Sequence, residues 1–343
     1  MFKPSKVVLI SSMVLLWLLA AQCNGAQPTP PPVSPETVTT TQPEATVKEL
    51  KAIPLAAGEK LKIVATSNII GDMVRQVAGD NVELVILFPL GVDAHGYVPT
   101  PQDTVAVSQA HLILVNGLHY EEFLDKLLQN AGGQTQLVEL STGVEPRVLV
   151  ESEHDEHAAE EESEHHHDGS DPHAWLTAVN ALVYVQNIKL ALTTLDPAQA
   201  TVYETNAANY NKQLQELETW INTQIATIPP EKRRLVTDHD ALGYYADHYK
   251  LTVIGAVIPG YSSMAEPSAQ EMVALQEAIK SYNVKAIFVG TTVNPNLSKQ
   301  VSQDMSVQLI SLYTESLGAA GSGAETYLDY MRYNTTAIVQ GLK

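Results

Sequence analysis

Four side chains in this chain have the types and settings to hold a metal ion. His95 lies in Gly91-Val-Asp-Ala-His-Gly-Tyr-Val-Pro-Thr-Pro, His173 in Asp171-Pro-His-Ala-Trp-Leu, His239 in Thr237-Asp-His-Asp-Ala and Glu315 in Tyr313-Thr-Glu-Ser-Leu-Gly. His95 follows an aliphatic run that ends near Phe88, His173 stands at a helix start, and His239 and Glu315 each come just behind a further aliphatic run. Open α/β sheets gather their ligands at such strand ends. Any one of these histidines alone also reads as a capping or surface residue; the set is what points to a metal. Zinc takes neutral imidazole nitrogen and carboxylate oxygen in a four-coordinate shell, whereas manganese favours more oxygen and a higher coordination number. Three histidines and one carboxylate therefore predict Zn2+, with Mn2+ as the alternative and with either Glu315 or a water in the fourth position. Because imidazole must be unprotonated to bind, affinity is expected to fall as pH drops through about 6.5.

The elements that must position these residues follow from hydrophobic periodicity. Aliphatic runs at 61–66, 82–88, 112–115 and 136–140 read as strands, with helical spacing at 69–77, 102–110 and 121–129 between them. A second alternating series places strands at 235–237, 251–258, 284–289 and 307–312, and helices at 241–249, 269–281, 295–304 and 324–342. Alternation of this kind predicts an α/β fold of two lobes, each a mostly parallel sheet covered by helices. Between the series, Tyr203, Ala207, Tyr210, Leu214, Leu217, Ile221, Ile225 and Ile228 recur at steps of three and four. Asp196 is placed as the N-cap, Pro197 in the first turn and Pro229-Pro230 as the stop. Such a helix is about 48 Å long and joins the lobes as one rigid backbone strut. The same stripe would also suit a helical hairpin arm or a coiled-coil dimer.

At the start of the chain, Lys3 and Lys6 precede an apolar run at 7–21, the pattern of an export signal and too short and one-sided for a membrane span. Cys23, the only cysteine, sits where a bacterial lipoprotein is cleaved and acylated; the alternative is a secreted chain cut near Ala26. A lone cysteine forms no internal disulfide. The protein is thus expected in the periplasm or at the outer face of the cytoplasmic membrane, lipid-anchored if Cys23 is acylated. The predicted organisation is a signal peptide at 1–23, a Pro/Thr-rich tether at 24–57, an N-terminal lobe at 58–195, a linking helix at 196–230 and a C-terminal lobe at 231–343. A net charge of -19, from 20 Lys plus Arg against 39 Asp plus Glu, leaves no basic face for phosphates. Nucleic acid is excluded as a partner on that ground, and a cation is favoured.

Between Glu151 and Asp171 stand ten acidic residues, the five histidines His154, His157, His165, His166 and His167, and no Lys or Arg. Self-repulsion and the lack of apolar anchors predict a solvated loop over 150–171. Its histidines are candidates for collecting zinc weakly and passing it to the main site. His111, His119 and His248 read as structural, and Glu266, in the patch 259–268, is given no contact with the ion.

Taken in order along 61–342, the segments 91–103, 116–118, 171–176, 239–249, 265–268, 313–317 and 326–334 resemble those of the cluster A-I solute-binding proteins of bacterial ABC importers for zinc and manganese, closest to the zinc-binding branch. The resemblance implies two lobes on one rigid helix, a single metal in the cleft, and docking onto a membrane permease, here by a monomer. It also implies that the histidines matching His95 and His173 are ligands. The third position, His in zinc-type members and commonly Glu in manganese-type ones, is His239 here. An acidic His-rich insertion is likewise typical of the zinc branch. Two departures stand out: Glu315 occupies a position where the family usually has Asp, and Gly290, in Phe288-Val-Gly, one where many relatives carry Glu.

Two other classes of function compete. An exported zinc-dependent hydrolase needs an open coordination position and a general base; no His-Glu-x-x-His pattern occurs, and Asp238 or Asp240 is the only evident base. A surface adhesin would carry metal incidentally. The reading adopted is a non-enzymatic, high-affinity zinc-binding component that delivers the ion to a permease.

Overall fold

The computed structural model describes residues 50–132, 135–148 and 169–343. Cys23, most of the expected tether, and His154, His157, His165, His166 and His167 lie outside the described residues.

The first sheet consists of β1 (Leu61–Ala65), β2 (Val82–Ile86), β3 (Leu112–Val115) and β4 (Gln136–Glu139), all parallel, in the order β2-β1-β3-β4. The second consists of β5 (Arg234–Thr237), β6 (Thr252–Ala256), β7 (Ala286–Gly290) and β8 (Gln308–Leu312), again parallel, in the order β6-β5-β7-β8. Both lobes thus repeat one strand order. Every residue of β3 and of β7 is buried, which is why both appear in the sequence as unbroken apolar runs rather than alternating ones.

Helices cover both sheets. In the first lobe they are α1 (Asn68–Ala78), α2 (Pro101–Gln109) and α3 (Leu124–Ala131). Ser67 caps α1 by accepting from Ile70 N, and Thr100 with Asp103 forms a capping box at α2 behind Pro101. α3 begins three residues later than the 121–129 expected. The reason is Glu121, whose carboxylate accepts from the backbone amides of Asn116 and Gly117 and from the Thr66 hydroxyl, and so belongs to the preceding turn. The chain also enters the first lobe earlier than residue 58: Leu50, Ile53 and Leu55 pack on the core, and Ile53 N donates to Leu195 O at 2.9 Å.

α4 (Ala178–Leu195) was legible only as a helix start near His173; Thr177 caps it by accepting from Asn180 N. Next comes α5 (Ala200–Ala226), 27 residues and therefore about 40 Å long. It is shorter than 196–230 because Asp196 does not cap it. The Asp196 carboxylate accepts from the Tyr203 hydroxyl at 3.0 Å instead, and Pro197–Gln199 form a separate 3-10 turn. The expected stripe from Tyr203 to Ile225 is buried. It packs against α1, α4 and α9 (Tyr327–Leu342) of the same chain, so it does not serve as a coiled-coil dimer seam.

The second lobe carries α6 (Gly243–Tyr249), α7 (Ala269–Ser281), α8 (Asn296–Met305) and α9. Hydrogen bonds tie the strand-end loops of the two lobes together. Asn68 Nδ2 donates to Ser316 Oγ at 3.1 Å, Leu317 N to Asn68 Oδ1 at 2.7 Å, and Gly91 N to Ser316 Oγ at 2.9 Å. These contacts set the loop that carries Glu315 against the start of the loop that carries His95.

Candidate metal centre

His95 comes from the loop after β2, His173 from the turn before α4, His239 from the end of β5 and Glu315 from the end of β8. The structure brings these four together, one ligand atom from each lying within 4.8 Å of every other. Glu315 Oε1 is 3.1 Å from His173 Nε2, 3.6 Å from His239 Nε2 and 4.0 Å from His95 Nε2. The three imidazole centroids form a nearly equilateral triangle with sides of 5.3, 5.5 and 5.7 Å. An ion about 2.1 Å from four tetrahedral ligands holds them about 3.4 Å apart, so these separations suit one ion. Apart from one another, the four facing atoms are buried without a hydrogen-bond partner, a costly arrangement unless something polar sits between them.

The opposite ring nitrogens show how the imidazoles are aimed. His173 Nδ1 lies 2.8 Å from Asp171 Oδ1 and His239 Nδ1 lies 3.2 Å from Asp238 Oδ1. In a neutral ring, each carboxylate accepts the Nδ1 proton and leaves Nε2 free for an ion. Asp171 is supported by Arg147, whose Nη1 approaches Oδ2 at 3.3 Å and whose Nε donates to Asp247 at 2.8 Å. Glu315 has its own fixing contact, since Tyr120 Oη donates to Oε2 at 2.6 Å and leaves only Oε1 facing the histidines.

Electrostatics follow from this crowding of opposite charges. Burial lowers the pKa of His173 and of His239. Glu315 with Asp171 outweighs it at the first and raises the value to about 9; Asp238 with Glu315 outweighs it at the second and raises it to about 10. Burial pushes Glu315 upward, but His173, His239 and His95 hold it well below the usual carboxylate range. At His95 burial prevails over the attraction of Glu315, and the pKa is lowered. Burial beside Glu315 raises the Tyr120 hydroxyl well above its ordinary value, so it stays a donor.

His95 is also the site's contact with the exterior. Its side chain keeps 8% exposure where those of His173, His239 and Glu315 keep 0%. It lines an open cavity of about 700 Å³ together with Tyr97, Val98, Tyr120, Phe123 and Leu127. The loop around it is held from both sides, for His95 N donates to Asp93 Oδ1 at 3.0 Å and Ser263 Oγ of the second lobe donates to Asp93 Oδ2 at 2.5 Å.

Histidines expected to be structural stay away from this centre: His111 Nδ1 accepts from Lys62 N, and His248 Nε2 faces Glu218 at 2.8 Å. Among the described residues no other cluster of His, Cys, Asp or Glu could hold an ion. Neither base candidate for a hydrolase is free: Asp238 is committed to His239, and Asp240 Oδ2 accepts from Gly260 N. Sequence reasoning missed Tyr120, Arg147 and the orienting roles of Asp171 and Asp238. The two aspartates had a signal, since each stands one or two residues before a candidate ligand; Tyr120 and Arg147 had none.

A metal-binding solute-binding protein, the class that serves ABC transporters, is what two such lobes around a buried cluster of three histidines and a carboxylate define. Residues 63–341 match the family described as zinc-uptake complex component A, periplasmic (ZnuA), and the chain belongs to it. It is 37% identical over 286 residues to the manganese-binding lipoprotein MntA of Halalkalibacterium halodurans, covering 83% of this chain and 89% of that protein. It is 31% identical over 293 residues to the manganese ABC transporter substrate-binding lipoprotein PsaA of Streptococcus pneumoniae, covering 83% and 90%. Among solved structures, the Mn-bound periplasmic metal-binding protein of Candidatus Liberibacter asiaticus superposes with a TM-score of 0.71 at 31% identity, covering 83% of this chain and 100% of that one. The periplasmic zinc-binding protein TroA of Treponema pallidum gives 0.72 at 28% identity, covering 83% and 99%. These relatives are binding proteins, and this chain is likewise not an enzyme. Among the described residues no helix is long and apolar enough to cross a membrane.

Proposed function

We propose that this chain captures zinc outside the cytoplasmic membrane with His95, His173, His239 and Glu315 and delivers it to the permease of an ABC importer. The observation that carries the reading is the convergence of three imidazole Nε2 atoms on a single carboxylate oxygen whose twin is taken by Tyr120. One carboxylate oxygen and three nitrogens make a four-coordinate, nitrogen-rich shell, which zinc accepts and which gives manganese less oxygen and fewer ligands than it favours. Export behind the leader, anchoring through an acylated Cys23, action as a monomer and weak zinc collection by His154, His157, His165, His166 and His167 complete the proposal. Manganese is the second reading, favoured by the names of MntA and PsaA.

Metal analysis of the purified protein, followed by competition between zinc and manganese, decides between them. Zinc should be retained and should resist manganese, and His239→Glu should narrow that preference by replacing a nitrogen ligand with oxygen. A wild-type protein that prefers manganese, or a preference that His239→Glu leaves unchanged, would overturn the zinc reading.

A further inference from the structure

Asp238 is a buried carboxylate that no Lys or Arg offsets among the described residues. Its side chain keeps 2% exposure, and its one ion-pairing partner is the ring of His239. Asp171, which has the same relation to His173, is supported by Arg147. The charge of Asp238 is met only from within the site, by the ring of His239, and by no charged group of the surrounding scaffold among the described residues. Every contact of the Asp238 carboxylate serves the site. Oδ1 accepts from His239 N at 2.9 Å and faces His239 Nδ1, while Oδ2 accepts from Gly290 N at 2.8 Å. The far oxygen is thereby pinned to the end of β7.

Gly290 permits this arrangement. A Cβ there would stand 2.4 Å from Thr314 Oγ1 and 3.2 Å from Asp238 Oδ2. Thr314 is the residue before Glu315, so any side chain at 290 would press on the carriers of both second-lobe ligands.

We propose that Asp238, pinned against the bare Cα of Gly290, is a positioning residue that fixes His239 as an Nε2 ligand and thereby sets the preference of the centre for a nitrogen-favouring ion. The inference rests on the reading that the four side chains hold a metal. A carboxylate behind a ligating imidazole fixes which nitrogen binds and raises its basicity, and losing such a partner typically weakens metal affinity by about 10–100-fold. Zinc depends on strong imidazole ligation more than manganese does, so the loss falls unequally on the two ions.

The test uses zinc and manganese as probes on the full chain. In 15N NMR of the zinc-loaded protein, wild type should show His239 bound through Nε2 alone. Asp238→Ala should mix the two modes of ligation, weaken zinc about 10–100-fold and narrow the zinc-to-manganese ratio. Asp238→Asn, which still offers an oxygen to Nδ1 but turns an NH2 donor toward Gly290 N, should fall between wild type and Asp238→Ala in both the ligation mode and the affinity. Gly290→Ala should act in the same direction while leaving Asp238 in place, and it decides the matter if Asp238→Ala fails to fold. Nε2 ligation and an ion ratio that stay unchanged in Asp238→Ala, or in Gly290→Ala where that stands in, would overturn the proposal. A wild type that prefers manganese would sink the zinc reading while leaving the NMR comparison to decide this one.

Discussion

Tyr120 Oη donates to Glu315 Oε2 at 2.6 Å, so one oxygen of this carboxylate is committed within the protein and only Oε1 faces the three histidines. The hydroxyl is buried and its pKa is raised by that burial beside the carboxylate, so it remains a proton donor at any ordinary pH. A carboxylate held in this way binds through one oxygen. Tyr120→Phe removes a hydrogen bond to a charged group, worth about 1.5–3 kcal/mol, and frees Oε2 to turn toward the ion. Two-oxygen binding and a larger shell suit manganese better than zinc. The variant is therefore expected to lose about tenfold in zinc-over-manganese preference, the equivalent of about 1.4 kcal/mol. X-ray absorption at the zinc edge should show its coordination number rising. Unchanged preference and coordination would mean that the hydroxyl only packs.

Charge around the centre closes in a way that fixes the pH response. With His173 raised to about 9 and His239 to about 10, both are protonated at neutral pH in the metal-free protein and balance Glu315 and Asp238, while Arg147 offsets Asp171. A divalent ion that displaces two protons leaves the sum unchanged. Binding should therefore release about two protons near pH 7, and affinity should rise about 100-fold per pH unit between 6 and 8. That window lies above the 6.5 expected of an unperturbed imidazole. Calorimetry in buffers of different ionisation enthalpy counts the protons, and a count near zero would contradict the charge balance. Stability of the metal-free form follows the same groups. The raised histidines contribute fully below 6.5 and lose that contribution as pH rises through 9 to 10; Glu315, depressed, loses its contribution as pH falls below its ordinary 4.5. Between pH 7 and 10 the metal-free protein should lose melting temperature faster than the zinc-loaded one.

The sequence exposed the centre unevenly, and the reasons are physical. His95, His239 and Glu315 were legible because each follows a β-strand whose aliphatic run is unmistakable. His173 was legible by its place ahead of a helix, yet most of that helix, α4, was not. α4 buries Ala178, Tyr184, Val185, Ile188 and Leu192 on one face, but its half-buried opposite side also carries Val179, Leu182, Val183 and Leu190, so the apolar residues show little period. The N-cap assigned to Asp196 failed because a competing partner, the Tyr203 hydroxyl, takes the carboxylate in the folded chain. Tyr120 could not be read at all: the acceptor it serves lies 195 residues away. Contacts of that separation exist only once two lobes have met.

Arg147 supports His173 at one remove. Its guanidinium meets Asp171, and a Cβ at Gly243 would stand 2.4 Å from Arg147 Nη1 and 2.6 Å from Asp171 Oδ2, so the start of α6 leaves room for this pair and little else. Arg147→Met leaves Asp171 buried without its cation. Breaking a fully buried pair costs about 3–5 kcal/mol, and the partial exposure of Arg147 reduces that to about 1–3 kcal/mol. Thermal unfolding should show this loss in the metal-free protein, and zinc affinity should fall about 10–100-fold as Asp171 loosens its hold on His173. Destabilisation with unchanged zinc affinity would confine Arg147 to a structural role.

His95 should govern how fast the ion comes and goes. It is the one member of the cluster with any side-chain exposure, 8%, and it lines the cavity that opens to solvent. Burial lowers its pKa, so at neutral pH it offers a free lone pair while His173 and His239 still carry protons. An arriving ion thus meets His95 first, and a departing ion leaves it last. His95→Ala should slow zinc capture by about tenfold or more, within the one to three decades over which association rates vary among related variants. His239→Ala removes a ligand from the interior of the cluster and should act mainly on release. Stopped-flow capture and chelator-driven release separate the two variants. Slow capture in His239→Ala beside normal capture in His95→Ala would place the entrance on the opposite side of the centre.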